Sequence, residues 1–213
     1  MAASSARKTG APDFDFTYHM RLLCADMVGR LDELSHVDLN RVAIGFSQTR
    51  KAVAHGLHAS LTPMRFEQGS LLSRRGGEQL TVQRFFDPHG REILYILSFY
   101  LPRFLNEPLR ENLATTLHEL WHISPRFDGD LRRHDGRCYA HGPSQAAYDA
   151  TVNRLLDRWL LLGPPPSLYA PLRCNFRQLV RQHGQVVGQK IPTPKLIPLA
   201  AGRVRSAEPG QPS

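Results

Sequence analysis

Cysteine is scarce in this chain, and the cysteines present form no recognisable pattern. Cys24, Cys138 and Cys174 are odd in number and far apart among 213 residues. A disulfide framework needs paired cysteines, and a structural zinc site built on thiolates needs two of them close together. The sequence therefore predicts neither, and it fits a protein of the reducing cytoplasm.

Long apolar runs are missing as well. No stretch approaches the ~20 apolar residues of a membrane-spanning helix, and the N-terminus lacks the apolar region of a signal peptide. With 41% apolar residues, the chain can bury one core of ordinary size. We therefore expect no membrane segment, and we predict a flexible arm at residues 1–13, a single domain at residues 14–186 and a disordered, proline-rich tail at residues 187–213.

Acidic residues are outnumbered by basic ones, 19 to 27, which gives a net charge of +8 at pH 7. Lysine and arginine neutralise phosphates, so a nucleic acid is a candidate partner through a basic surface. However, no helix-turn-helix, RNA-recognition or zinc-finger pattern accompanies these charges. A solvated basic surface is the simpler interpretation.

The most specific signal in the chain is the segment His118-Glu119-Leu120-Trp121-His122. Residues four apart on a helix lie on the same face, so His118 and His122 can offer both imidazoles to one ion. Glu119 then stands beside the open position of the metal, where an activated water needs a base. The spacing predicts one catalytic zinc ion, with Glu119 as the general base. A chance match among ten histidines is the alternative.

The residues around the motif favour a helix. Asn106 is a good N-cap, Pro108 suits the first turn, and Pro125 forces an end. Apolar residues recur every four positions between these limits, at Leu109, Leu113, Leu117 and Trp121. We predict a helix that starts at Asn106 and ends before Pro125.

A catalytic zinc ion usually has three protein ligands, and the loop after the motif offers two further histidines. His141 precedes residues 142–144, which predict the start of the next helix, and a ligand at a helix start is held by a rigid element. We favour His141 and keep His134, in an arginine-rich turn, as the alternative third ligand. Tyr139, His134 or Arg132 can stabilise the oxyanion of the transition state, and the sequence does not choose among them.

Residues 117–143 resemble metallopeptidases found in phage and prokaryotic genomes. The motif from His118 to Ile123, followed by Phe127-Asp128-Gly129, is similar to their His-Glu-Leu-x-His-Ile and Phe-x-Gly segments. His141-Gly142-Pro143 is similar to the third-ligand segment of SprT-like proteases, whereas residues 129–134 resemble a segment of archaeal relatives and favour His134. The resemblance implies a zincin-like fold of the SprT-like or minigluzincin kind and a zinc-dependent peptidase acting on a protein or peptide. SprT-like proteases act on proteins attached to DNA, so the resemblance is compatible with a peptidase that acts near DNA.

The competing hypothesis is a zinc-stabilised, nucleic-acid-associated binding protein without hydrolytic activity.

The remaining elements are predicted from periodicity and turn residues. They are a helix at residues 16–34, strands at residues 40–46, 56–61, 79–86 and 91–100, a helix after Ser144 and a short helix within residues 168–183. The fold class is therefore α+β, with an N-terminal helix, a small mixed or antiparallel sheet, the metal helix and a following packing helix. The strand at residues 91–100 is either a cleft edge, where a substrate adds as a further strand, or an ordinary core strand.

Overall fold

The computed structural model describes residues 12–48, 56–133 and 145–199. Within these residues the chain is an α+β protein, as predicted, with four α-helices and eight strands. The helices are α1 (Phe16–Arg30), α2 (Leu109–Trp121), α3 (Gln145–Leu161) and α4 (Phe176–His183). The strands are β1 (Phe14–Asp15), β2 (Val42–Gln48), β3 (Ala59–Pro63), β4 (Leu72–Arg75), β5 (Glu78–Val82), β6 (Tyr95–Leu101), β7 (Val186–Val187) and β8 (Leu196–Leu199).

The N-terminal helix α1 begins at a side-chain cap and ends earlier than predicted. The Asp15 carboxylate accepts the backbone N–H of Tyr18 at 2.9 Å, which satisfies one of the first free amides of the helix. One stripe of α1 is fully buried, at Phe16, Met20, Leu23 and Met27. Leu31 is extended and a 3-10 turn follows at Asp32–Leu34, so that Leu31 and Leu34 both reach the core.

The central sheet is mixed, with the strand order β2-β6-β3. Strand β6 runs parallel to β2 and antiparallel to β3, and Leu97 is the partner of both Ile44 and Leu61. Residues of β6 alternate between the two faces: Leu97 and Phe99 belong to the main core with the helices, whereas Ile96 packs in a smaller cluster on the other face. Strand β6 is thus the core strand of the sheet.

Helix α2, which contains the His-Glu-x-x-His motif, starts later than predicted. Asn106 ends a short 3-10 turn, and Pro108 is the N-cap of the helix. The reason is local: Glu107 precedes a proline, which keeps it extended with φ −78° and ψ 158°. The buried face of α2 is formed by Leu113, Leu117 and Leu120. The helix itself is confirmed, and the prediction of Asn106 as its cap is wrong.

Helix α3 packs against α2, as predicted for the helix after the motif. Its buried side chains are Tyr148, Val152, Leu155, Leu156 and Trp159. The Trp159 indole Nε1 donates to the Asp26 carboxylate of α1 at 2.8 Å, which ties α3 to α1 as well. Ser144, the predicted cap of this helix, lies outside the described residues.

The predicted short helix within residues 168–183 is found as α4. Two 3-10 turns, Pro166–Leu168 and Ala170–Arg173, precede α4. A capping box starts α4, in which Asn175 and Gln178 each accept the other's backbone N–H.

The segment after α4 is ordered up to residue 199, so the predicted disordered tail is wrong for residues 187–199. Strand β7 pairs with β1, and β8 pairs with β5. Between them, the Gln189 carbonyl accepts the Phe46 N–H of β2 at 3.0 Å. Proline is compatible with this segment because a residue of an edge strand can lack its backbone N–H. Pro198, which is the partner of Leu80, is an example. The predicted arm up to residue 11 and the tail from residue 200 lie outside the described residues.

Among the described residues, no helix combines the length and apolar character that crossing a membrane requires.

Candidate metal centre and cleft

The two histidines of the motif direct the same ring nitrogen to one point. The His118 Nε2 and His122 Nε2 atoms are 3.0 Å apart, at the C-terminal end of α2. Two nitrogens bound to one tetrahedral zinc ion at ~2.0–2.1 Å would be about 3.3 Å apart. The pair therefore fits two of the ligand positions of a zinc ion with a small adjustment of the rings.

Tyr148 of α3 contacts both histidines. Its hydroxyl oxygen lies 3.1 Å from His122 Nδ1 and 3.2 Å from the His118 carbonyl oxygen. Its ring stacks on the His122 imidazole at 5.1 Å and meets the His118 imidazole edge-on at 4.8 Å. The two imidazoles are thus held from the side of α3.

Glu119 is buried at the floor of the same site. Burial raises the pKa of the Glu119 carboxyl to about 7. The backbone N–H of Leu61 in β3 acts in the opposite direction, because it favours the ionised form. The group can therefore both accept and release a proton near neutral pH.

A cleft of about 460 Å³ opens beside His118 and Glu119. Its walls come from the start of β3, from α2 and from α3, with Ala59, Glu111, Thr115, Asp149, Val152 and Asn153 among the lining residues. Its dimensions suit a short stretch of an extended peptide or a few side chains.

One wall of the cleft is the outer edge of β3. The carbonyl of His58 accepts the N–H of Tyr100, so the backbone of His58 faces β6. Because backbone groups alternate along an antiparallel strand, the backbone groups of Ala59 and Leu61 face away from β6, which agrees with the effect of the Leu61 N–H on the Glu119 pKa. Of the two interpretations of the strand at residues 91–100, the core strand is therefore correct, and β3 is the strand at the cleft edge.

No candidate for a third metal ligand is found among the described residues. In that part of the chain, no third histidine, cysteine, aspartate or glutamate joins His118 and His122 closely enough to complete a metal site. His141, His134 and Tyr139 all lie outside the described residues. The choice between His141 and His134 stays a prediction from the sequence.

Arg132 lies at the end of α2 and is not among the residues that line the cleft. Its Nε donates to the Trp121 carbonyl at 2.7 Å, and its guanidinium lies 3.7 Å from the centre of the Trp121 ring. Its backbone N–H donates to the His122 carbonyl at 2.6 Å. These contacts satisfy carbonyls at the negative end of the helix. This placement gives the predicted oxyanion role of Arg132 no support.

The loop that follows the motif is anchored to the central sheet. The Tyr95 hydroxyl accepts the Gly129 N–H at 3.0 Å and donates to the Asp130 carbonyl at 2.9 Å. Gly129 has φ +87°, and a Cβ there would lie 2.5 Å from the Arg65 side chain, so only glycine fits. The first part of the loop, which precedes the candidate third ligands in the sequence, is therefore held in a fixed position.

Several residues of the site were not assigned to it from the sequence. Tyr148 lies in the helix predicted after Ser144 and His58 in the strand predicted at residues 56–61, yet both reach the site. His58 lines the cleft, with its Nε2 3.4 Å from the Glu107 carboxylate. Asp149 lines the cleft next to Tyr148. No local pattern marks these residues, because what brings them to the motif is the packing of β3 and α3 against α2.

Comparison of the chain with protein-family models, with curated proteins and with solved structures found no match. The resemblance of residues 117–143 to metallopeptidases therefore stays an expectation from the sequence. The structural basis for a function is the His118 and His122 pair, the buried Glu119 and the cleft beside them.

Proposed function

We propose that this protein is a zinc-dependent metallopeptidase that hydrolyses peptide bonds in a protein or peptide substrate. The main support is the position of Glu119. It is buried next in sequence to His118, whose Nε2 lies 3.0 Å from His122 Nε2, and it borders an open cleft together with His118. A structural zinc site does not require a carboxylate beside the open position of the metal.

His118 and His122 would hold the metal ion, together with His141 or, alternatively, His134. Neutral imidazole is a usual zinc ligand, and both Nε2 atoms of the pair face the same point. When bound, zinc supplies a Lewis acid that polarises the peptide carbonyl and makes water a better nucleophile.

Glu119 acts as the general base and then as the acid. It takes a proton from the attacking water and passes that proton to the amine that leaves. A nearby cation favours the ionised carboxylate, while burial raises its pKa toward neutrality, so the group can both accept and return the proton. The backbone N–H of Leu61 favours the ionised form of the carboxylate, which is the form that accepts the proton.

The outer edge of β3 would bind the substrate in an extended form. Ala59 turns its backbone groups away from β6 and lines the cleft next to Glu119. A peptide that adds to this edge places its backbone, whatever its sequence, alongside the base. Binding of this type gives affinity through main-chain hydrogen bonds, and side chains in the cleft give selectivity.

The decisive experiment is Glu119→Gln, because the amide keeps the size of the carboxyl group but cannot take the proton. We expect hydrolysis of an unfolded protein substrate to fall by at least ~10²-fold. Zinc content, measured by metal analysis, and the melting temperature should be retained. Glu78→Gln, on the exposed hairpin between β4 and β5, serves as the control and should keep the parent rate.

Two outcomes would contradict the proposal. A Glu119→Gln variant that cleaves as fast as the parent would remove Glu119 from the mechanism. A parent protein that cleaves nothing across several divalent metals, with and without DNA, would favour the zinc-stabilised, nucleic-acid-associated binding protein, which the net charge of +8 suits.

A further inference from the structure

Tyr148 lies in α3 and is almost fully buried, with 4% of its surface exposed. Its hydroxyl oxygen is within hydrogen-bonding distance of two groups of the motif helix, the His118 carbonyl oxygen at 3.2 Å and His122 Nδ1 at 3.1 Å. A tyrosine that only filled space could contact the two rings without placing its hydroxyl between them.

The number of protons that these groups carry decides which atom donates in each of the two hydrogen bonds. A carbonyl oxygen can only accept, and a phenol has a single proton. Both bonds form together only if Tyr148 donates to the His118 carbonyl and His122 Nδ1–H donates to the Tyr148 oxygen. A neutral His122 with its proton on Nδ1 has its lone pair on Nε2, the atom that lies 3.0 Å from His118 Nε2.

We propose that Tyr148 is a positioning residue that holds His122 in the tautomer whose Nε2 is free to bind the metal. The inference rests on the proposed zinc site, but the two contacts of the Tyr148 hydroxyl are features of the structure itself. Partners on the second nitrogen of a ligand histidine fix its tautomer and ring orientation, and their loss typically weakens metal affinity 10–100-fold.

The opposite arrangement makes a different and measurable prediction. If Tyr148 donated to His122 Nδ1, the imidazole proton would be on Nε2 and would point at His118. The bond to the His118 carbonyl would then be lost, and His122 would have to change tautomer before it could bind a metal ion.

Tyr148→Phe tests the proposal, because phenylalanine keeps the ring contacts and removes only the hydroxyl. We expect zinc affinity, measured by competition with a chelator, to weaken about 10–100-fold while the circular dichroism spectrum stays that of the parent. Tyr18→Phe is the matched control, since Tyr18 is 62% exposed on α1, and it should leave the affinity unchanged.

The tautomer is read directly in the metal-free parent by long-range proton–nitrogen NMR of His122. A proton on Nδ1 supports the proposal, and a proton on Nε2 overturns it, even if the phenylalanine variant does not fold. In a folded Tyr148→Phe variant, the Nδ1–H form should lose population. An unchanged zinc affinity in that variant would also overturn the proposal.

The two proposals fail in distinguishable ways. Zinc affinity that depends on Tyr148, in a parent that hydrolyses nothing, would support the positioning role and refute the peptidase. Normal hydrolysis together with a zinc affinity that Tyr148→Phe leaves unchanged would support the peptidase and refute the positioning role.

Discussion

The guanidinium of Arg132 lies 3.7 Å from the centre of the Trp121 ring, and its Nε donates to the backbone carbonyl of the same residue. One side chain thus covers the aromatic face and satisfies a free carbonyl at the end of the motif helix. These contacts predict that Arg132 supports the helix and has no part in the proposed hydrolysis.

Arg132→Ala should lower the free energy of unfolding by roughly 1–3 kcal/mol, because a cation–π contact and a charge-assisted hydrogen bond are lost together. Chemical denaturation measures this. Arg126→Ala, in the same loop but with a largely exposed ion pair to Asp128, should cost less than ~1 kcal/mol. A loss of ~10²-fold in kcat at unchanged stability would instead restore Arg132 as a transition-state stabiliser.

The purified protein should contain about one zinc ion per chain, and the His118→Ala/His122→Ala double variant should contain none, because both imidazoles converge on one point. Metal analysis after dialysis checks this. His89→Ala, at an exposed turn, should retain the zinc. One tightly held zinc ion in the double variant would show that the site is elsewhere.

The two loop histidines can be separated by their effects on zinc affinity. His141→Ala should weaken zinc binding far more than His134→Ala, because only His141 precedes a predicted helix start and a rigid element holds a ligand better. Chelator competition on the two single variants gives the comparison. Equal or reversed losses would assign the third ligand to His134.

Acid should destabilise the protein partly through Glu92. Hydrogen bonds from Arg84 and Arg65 lower the pKa of the Glu92 carboxyl to about 2, from a usual 4.5, although burial acts in the opposite direction. Because the folded-state pKa is depressed, this stabilisation is complete above pH ~4.5 and is lost as the pH falls toward 2.

Glu92→Gln should therefore reduce the free energy of unfolding at pH 7 by roughly 1–3 kcal/mol, a range that allows for the half-exposed Arg84 partner. The difference from the parent should shrink between pH 4.5 and 2, as followed by denaturation at several pH values. Glu78→Gln is the exposed control. A difference that is constant across this pH range would show that the ionised carboxylate is not the cause.

Several local features followed from the residues alone. A helix around the motif was predictable from its apolar repeat, and it is found at Leu109–Trp121. Its start was misplaced, because the preference of Asn106 for a cap competes with the restriction that Pro108 imposes on Glu107, and the restriction prevails. The ordered segment through β8 was missed because its strands gain their hydrogen bonds only from distant partners, β1 and β5.

The sequence by itself determined that His118 and His122 share one helix face and that Glu119 lies beside that face, because helix periodicity follows from covalent geometry and local hydrogen bonds. Only the tertiary structure decided what surrounds that face. The effect of the Leu61 backbone on Glu119 requires β3 to pack beside α2, and the contacts of the Tyr148 hydroxyl with His118 and His122 require α3 to pack against α2. Those neighbours are distant in sequence and are brought together by burial of the common core, which no local pattern encodes.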